Sequence, residues 1–156
     1  MWDLVFKSAN YLAMAAWFAL ILLPRKPFIL SAVMYLGVAL LCLVYTVGMV
    51  SLIGGFVDSG ASGEGGAGSF TSIEGVRALF ASDGGLTVGW VHYLAFDLFV
   101  GLWIARDADA KYFSRVLQAP VLLFTFMLGP IGLFMWLIIR EGRARTFGWK
   151  RNRINV

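Results

Sequence analysis

The sequence predicts an all-α membrane protein: four transmembrane helices, with a short interfacial helix between the second and the third. Three observations predict it. Of the 156 residues, 60% are hydrophobic and only 14% are charged, whereas an average soluble domain is roughly one quarter charged. The apolar residues gather into four runs, at about 3–23, 29–56, 87–105 and 117–139, each close to or beyond the about 20 residues that a spanning helix requires. Between the second and third runs, Thr71-Ser72-Ile73-Glu74 has the spacing of a capping box and opens a helical stretch, 71–82, that is too short to span. Four spans and their connections use up the whole length and leave no room for a soluble catalytic domain.

The first run, 3–23, has the apolar core of a signal peptide but not its flanks. Asp3 stands beside Lys7 ahead of the core, and the small residues Ala13, Ala15 and Ala16 lie inside it rather than after it, where a cleavage site belongs. It reads as a span. Pro24-Arg25-Lys26-Pro27 comes next; the two prolines cannot continue a helix and the two charges mark the water interface, so a tight helical hairpin is expected. The second run is longer than a bilayer needs and should tilt or project.

That run dissolves into a glycine-rich loop, 57–69. No Gly-Lys-Ser/Thr sequence comes after the glycines, which removes a phosphate-binding loop from consideration. In the interfacial helix, Ile73, Val76, Leu79 and Phe80 share one face, and Gly84-Gly85 should end it. The fourth run carries Gly129-Pro130-Ile131-Gly132 near its middle, which predicts a kink in a single helix: proline removes a backbone hydrogen bond and the glycines admit a neighbour.

The net charge is +4, but six of the basic residues crowd into the tail, 140–156. Beside a span, such a tail anchors to anionic lipid rather than to nucleic acid. With four crossings, the N-terminus, the 57–86 segment and the tail share a side and carry eight basic residues against five on the other. This expects both termini in the cytoplasm. The chain lacks an extended Ser- and Arg-rich leader, which favours a bacterial inner membrane. Cys42, the only cysteine, excludes an intrachain disulfide and reads as packing.

Asp97 sits mid-way along the third run. An ionised carboxylate there costs at least about 2.5–3.5 kcal/mol on insertion scales, so it should face protein or water, find a partner, or be protonated. It is a candidate proton donor or acceptor; the plainer alternative is a hydrogen-bonded packing residue. His92, the only histidine, is a candidate acid/base group, a ligand to one pigment metal, or an interfacial hydrogen-bonding residue. At 100° per residue, Trp90, Tyr93, Asp97, Gly101 and Ile104 lie along one face, and His92, Phe96, Phe99 and Trp103 along another. His92 and Asp97 are therefore about 140° apart and each needs partners from other helices. One histidine and one cysteine leave too few ligands for zinc or iron, and bis-histidine haem within one chain is impossible.

Beyond the third run, Arg106, Asp107, Asp109, Lys111 and Arg115 form a mixed-sign cluster in which Arg106 is a natural snorkelling anchor or a site residue. Trp2, Trp90, Trp103, Trp136 and Trp149 fall near the expected interfaces, as an aromatic belt would place them. Phe96, Phe99, Phe124, Phe126 and Phe134 lie deeper and suit either helix packing or a flat polyene ligand.

The stretch from Trp90 to Asp107, with its His-x-x-x-Phe-Asp-Leu-Phe core, and the stretch from Gln118 to Leu133, with Gly-Pro-x-Gly, resemble the abscisic-acid-deficient-four-like family, whose plant members are associated with neoxanthin synthesis. With Phe70 to Phe80 included, the resemblance covers most of the chain beyond residue 30.

The resemblance implies a carotenoid, dissolved in the membrane, as substrate or bound pigment, and no cofactor. Opening a ring epoxide to an allenic alcohol is redox-neutral: an acid protonates the epoxide oxygen and a base takes a proton from the polyene. On this reading Asp97 is the acid and His92 the base, with Trp90, Tyr93, Phe96, Gly101, Arg106, Gly129 and Pro130 lining the substrate. The alternative is a pigment-binding or assembly subunit without turnover. Expected partners are the lipid bilayer and the carotenoid, with a larger membrane complex or a homo-oligomer as a further expectation.

Overall fold

The computed structural model describes residues 1–60 and 69–153, with side chains up to 142. Every regular element among them is helical: α1 (Trp2–Leu22), α2 (Pro27–Ala32), a π-helical segment (Val33–Ala39), α3 (Leu40–Ile53), α4 (Ile73–Leu79), α5 (Asp83–Ala110), α6 (Arg115–Leu128) and α7 (Pro130–Arg153). Three helical stretches are long and apolar enough to cross a membrane: Trp2–Leu22, Pro27–Ile53 and Asp83–Ala110. Large apolar side chains along them stay uncovered by protein, among them Phe18, Phe28, Tyr35, Val50 and Ile53, as expected where lipid replaces water.

The chain divides into two compact units, residues 1–16 with 35–96, and residues 17–34 with 97–156. In the first unit, small residues let bulky ones approach. Gly84 faces the indole of Trp2 and the side chain of Leu52, Gly48 faces Val88, and Gly89 faces the ring of Phe80. Trp2 is buried, and its indole N–H donates to the Asp58 carbonyl at 2.8 Å. Asn10 accepts from the Trp90 indole at 3.1 Å.

Boundaries differ from expectation here. The helix after the glycine-rich segment is capped by Ser72, not Thr71: the Ser72 hydroxyl accepts from the Gly75 N–H at 3.1 Å, while Thr71 pairs with the Ser69 hydroxyl at 2.7 Å. Gly84-Gly85 does not end this helix. Both residues lie in the first turn of α5, which starts at Asp83 rather than near 87, because the Ser82 hydroxyl accepts from the Gly85 N–H at 3.0 Å and a bulkier residue at 84 would strike Trp2. Most of the expected flexible loop, 57–69, lies outside the described residues.

In the second unit, the Leu23–Lys26 connection turns tightly, with the Lys26 N–H bonded to the Pro24 carbonyl at 2.8 Å. The larger difference concerns the fourth apolar run. Instead of one kinked helix over 117–139, there are two helices, α6 of 14 residues and α7, separated by Gly129 at φ 39°. They run antiparallel. Gly132 packs directly on the backbone of Thr125, and the rings of Phe113 and Trp136 lie 5.0 Å apart; along a continuous helix, residues 113 and 136 would be about 35 Å apart. Pro130 provides the first residue of α7, where its missing N–H costs nothing. The start of the expected tail is also helical, since α7 runs on to Arg153.

Candidate functional site

The expected site residues fall into two places, one in each unit. In the first unit, α5 presents His92 to a groove of about 840 Å³ whose walls include Tyr45, Met49, Phe70, Phe80 and Val88. The imidazole stacks on Phe96, with ring centroids 4.6 Å apart, and tilts against Tyr45 at 5.3 Å. These partners have different origins: Phe96 lies four residues on along the same helix face, and Tyr45 comes from α3. Tyr45 was not among the residues expected at the site. Its signal was present, because it is one of few side chains with a polar end inside the second apolar run.

Trp90 and Tyr93 form a second aromatic pair in this unit, stacked at 5.3 Å, and Phe6 lies 6.0 Å from Trp90. The Asn10 hydrogen bond fixes the Trp90 ring. Neither Trp90 nor Tyr93 is among the groove-lining residues, so of the aromatic residues expected around a substrate, Phe96 is the one joined to His92. A second groove, of about 620 Å³, is lined by Trp2, Val5, Leu12, Leu43 and Val47 among others, with the hydroxyls of Ser8 and Ser51. No carboxylate, imidazole or phenol is among its lining side chains.

In the second unit, Asp97 lies against the α6–α7 turn. A Cβ on Gly129 would stand 2.6 Å from Asp97 Oδ1 and 2.8 Å from Oδ2, so the carboxylate occupies the space that the missing side chain leaves. The residues expected to form one site, Asp97 and Gly129-Pro130, are thus brought together. One turn further along α5, Gly101 takes the ring of Trp17, which in turn packs on Phe126 at 5.4 Å. Gly101 therefore admits protein rather than a ligand.

Asp97 also stands at the start of α7. The first N–H groups of a helix lack partners within it and carry partial positive charge, so a carboxylate is favoured there. Its place beside Gly129 offers Asp97 a structural role at the α6–α7 turn as an alternative to a role toward a ligand.

A polar cluster forms around the last turns of α5. The Arg25 side chain is only 6% exposed and pairs with Asp109 at 2.8 Å; its Nη1 also donates to the Ala105 carbonyl at 3.0 Å and to the Gln118 amide oxygen. Burial lowers the Arg25 pKa from its ordinary value; Asp109 works against this and the nearby Arg115 adds to it. Gln118, fully buried within the fourth apolar run, donates to the Phe113 carbonyl at 2.8 Å and to Asp109 at 3.3 Å. Beside it, Asp107 accepts from the Trp136 indole at 3.0 Å and pairs with Lys111 and Arg140.

Trp136 is fully buried, so it belongs to this cluster and not to an aromatic belt. Arg140 covers the ring of Trp103 at 5.3 Å. Arg106, expected as a substrate or anchor residue, is exposed and is not among the partners of Asp107 and Asp109 described above. In the sequence Arg25 looks like an interface charge, and Gln118 carries no sign of a role. The two could be told from solvated residues only by the contacts between distant segments. Among the described residues, no three His, Cys, Asp or Glu side chains group closely enough to hold a metal ion.

Comparison with protein families matches residues 4–136 to the model described as ABA DEFICIENT 4-like. No curated protein and no solved structure matches the chain.

Proposed function

The chain belongs to the ABA DEFICIENT 4-like family, and from that premise we propose that it acts on a membrane-dissolved carotenoid held in the groove beside His92. The observation that carries the proposal is the lining of that groove. A flat, apolar polyene needs aromatic and aliphatic walls, which Phe70, Phe80, Met49 and Val88 supply, and a redox-neutral rearrangement needs one proton donor and one acceptor at its edge. His92 and Tyr45 both line it.

The proposed step opens a ring epoxide. The Tyr45 hydroxyl gives its proton to the epoxide oxygen as the carbon–oxygen bond breaks, and the His92 imidazole takes a proton from the polyene carbon. The electrons of that C–H bond become the new double bond, so an allenic alcohol forms and no electrons leave the substrate. The proton then returns from His92 to Tyr45. Asp97, the acid expected from the sequence, is assigned instead to holding the α6–α7 turn, where its carboxylate fills the space above Gly129.

Carotenoid-producing cells expressing the full chain test the reading. His92→Gln and Tyr45→Phe should each abolish the product while protein level and thermal stability stay unchanged, and Asp97→Asn should retain it. If the wild-type chain changes no carotenoid but purifies with pigment that Phe80→Ala releases, the protein is a binding subunit without turnover. Unchanged pigment profiles in both variants with an active wild type would reject His92 and Tyr45.

A further inference from the structure

We infer that α6 and α7 form a re-entrant hairpin, so that the chain crosses the membrane three times and its most basic end is the cytoplasmic face, set against anionic lipid headgroups. At 1.5 Å per residue, the 14 residues of α6 reach about 21 Å, short of the about 30 Å hydrocarbon core. The chain then reverses at Gly129 and returns along α6, as the pairing of Gly132 with Thr125 and of Trp136 with Phe113 requires. Broken helices at membrane depth are tolerated where protein covers the break, and here Asp97 and Thr125, the latter fully buried, cover it.

The contacts at the base of the hairpin agree. Arg115 donates to the Leu23 carbonyl, Arg25 meets Asp109 and Gln118, and Asp107 meets Trp136 and Arg140. The 23–26 turn, the 110–115 turn and the middle of α7 are therefore at one level. On a path in which each of the three long helices crosses, as their length and composition allow, the start of α1 and the segment between α3 and α5 share the opposite side.

Counting charges on this path gives a split that four crossings do not. Among the described residues, Lys7 and Arg77 are the only basic ones on the side of the α1 start on this path, which also carries Asp3, Asp58, Glu74 and Asp83. The other eleven basic residues, including all six of the tail, fall on the far side with only Asp107, Asp109 and Glu141. With a fourth crossing, the division was eight against five. Cytoplasmic loops carry the excess of Lys and Arg, so the three-crossing path fixes the orientation: the end of α7 inside, the start of α1 outside. This replaces the expectation that both termini share the cytoplasm. The exposed cations on that side, Lys26 and Arg106 among them, add attraction to a leaflet rich in anionic lipid on the order of 1 kcal/mol per residue near the surface.

Single-cysteine variants of the full chain, made on a Cys42→Ser background, test the path with a membrane-impermeant maleimide. Glu74→Cys should label on intact cells, and Lys26→Cys and Glu141→Cys only after permeabilisation. Glu141→Cys and Glu74→Cys labelling alike, both on intact cells or both only after permeabilisation, would mean a fourth crossing and overturn the hairpin; labelling of Lys26→Cys and Glu141→Cys but not Glu74→Cys on intact cells would reverse the orientation. For the lipid surface, the purified chain is melted in phosphatidylcholine vesicles with and without phosphatidylglycerol. A higher midpoint with phosphatidylglycerol that shrinks on adding salt is expected, and equal midpoints would reject headgroup binding while leaving the path to the labelling result.

Discussion

The Asp97 carboxylate rests on Gly129, occupying the position where any other residue would carry its Cβ. Gly129 also adopts φ 39° and ψ −93°, a conformation open to glycine and strained for other residues. Gly129→Ala should therefore cost about 1–3 kcal/mol from the backbone alone and more from the overlap with Asp97. Thermal unfolding in detergent of Gly129→Ala, Asp97→Ala and the double variant would show this as non-additivity: with the carboxylate gone, the alanine at 129 should cost less than in its presence.

Gly101 and Trp17 are a second such pair, with the buried indole lying where a Cβ at 101 would stand. Gly101→Val should destabilise by about 1–3 kcal/mol through overpacking. Adding Trp17→Leu to Gly101→Val should recover part of the loss, read as a rise in unfolding temperature relative to Gly101→Val alone.

Arg25 is nearly enclosed and its charge is met by Asp109. Asp109→Ala leaves the guanidinium with neutral partners only and should lower stability by about 1–3 kcal/mol. Arg25→Met, which removes the buried charge as well, should cost less than Asp109→Ala, because desolvation of the ion is then avoided. Thermal midpoints of the two variants decide the order.

Trp136 donates its indole N–H to Asp107 from a fully buried position. Trp136→Phe keeps most of the ring contact with Phe113 and loses that bond, for an expected cost of about 1 kcal/mol. Trp136→Ala also opens a cavity and should cost about 3–5 kcal/mol. A ratio near unity between the two losses would show that the hydrogen bond, not the packing, anchors α7.

How much the sequence disclosed depended on the range of the interaction. The first three apolar runs became long helices because composition and length settle such segments, and the prolines at 24 and 27 marked the connection between two of them. The meeting of Asp97 with Gly129 was only half legible: a costly carboxylate and a costly break both sit mid-run and were expected at one site, but around a ligand rather than against each other. Gly84-Gly85 misled because glycine signals a stop only where nothing else selects it; at 84 it is required by Trp2, more than eighty residues away. Nor could Gly-Pro-x-Gly disclose whether the chain bends or reverses. That depends on Phe113 meeting Trp136, and on Arg25, Asp107 and Gln118, none of which carries a local mark of its partner.

The π-helical segment Val33–Ala39 lies between two α-helical stretches of one span. Such wide turns hold an added residue while the flanking turns keep their facing. The second span thus has a place where chain length can change without re-aiming α3. Removing one residue between Val33 and Ala39 should relax the wide turns toward ordinary ones and leave Tyr45 pointing at the same neighbours, whereas a deletion in the regular turns of α3 ahead of Tyr45 would swing it by about 100°. Tolerance of deletions scanned one position at a time, with folded yield as the readout, should peak over those seven residues.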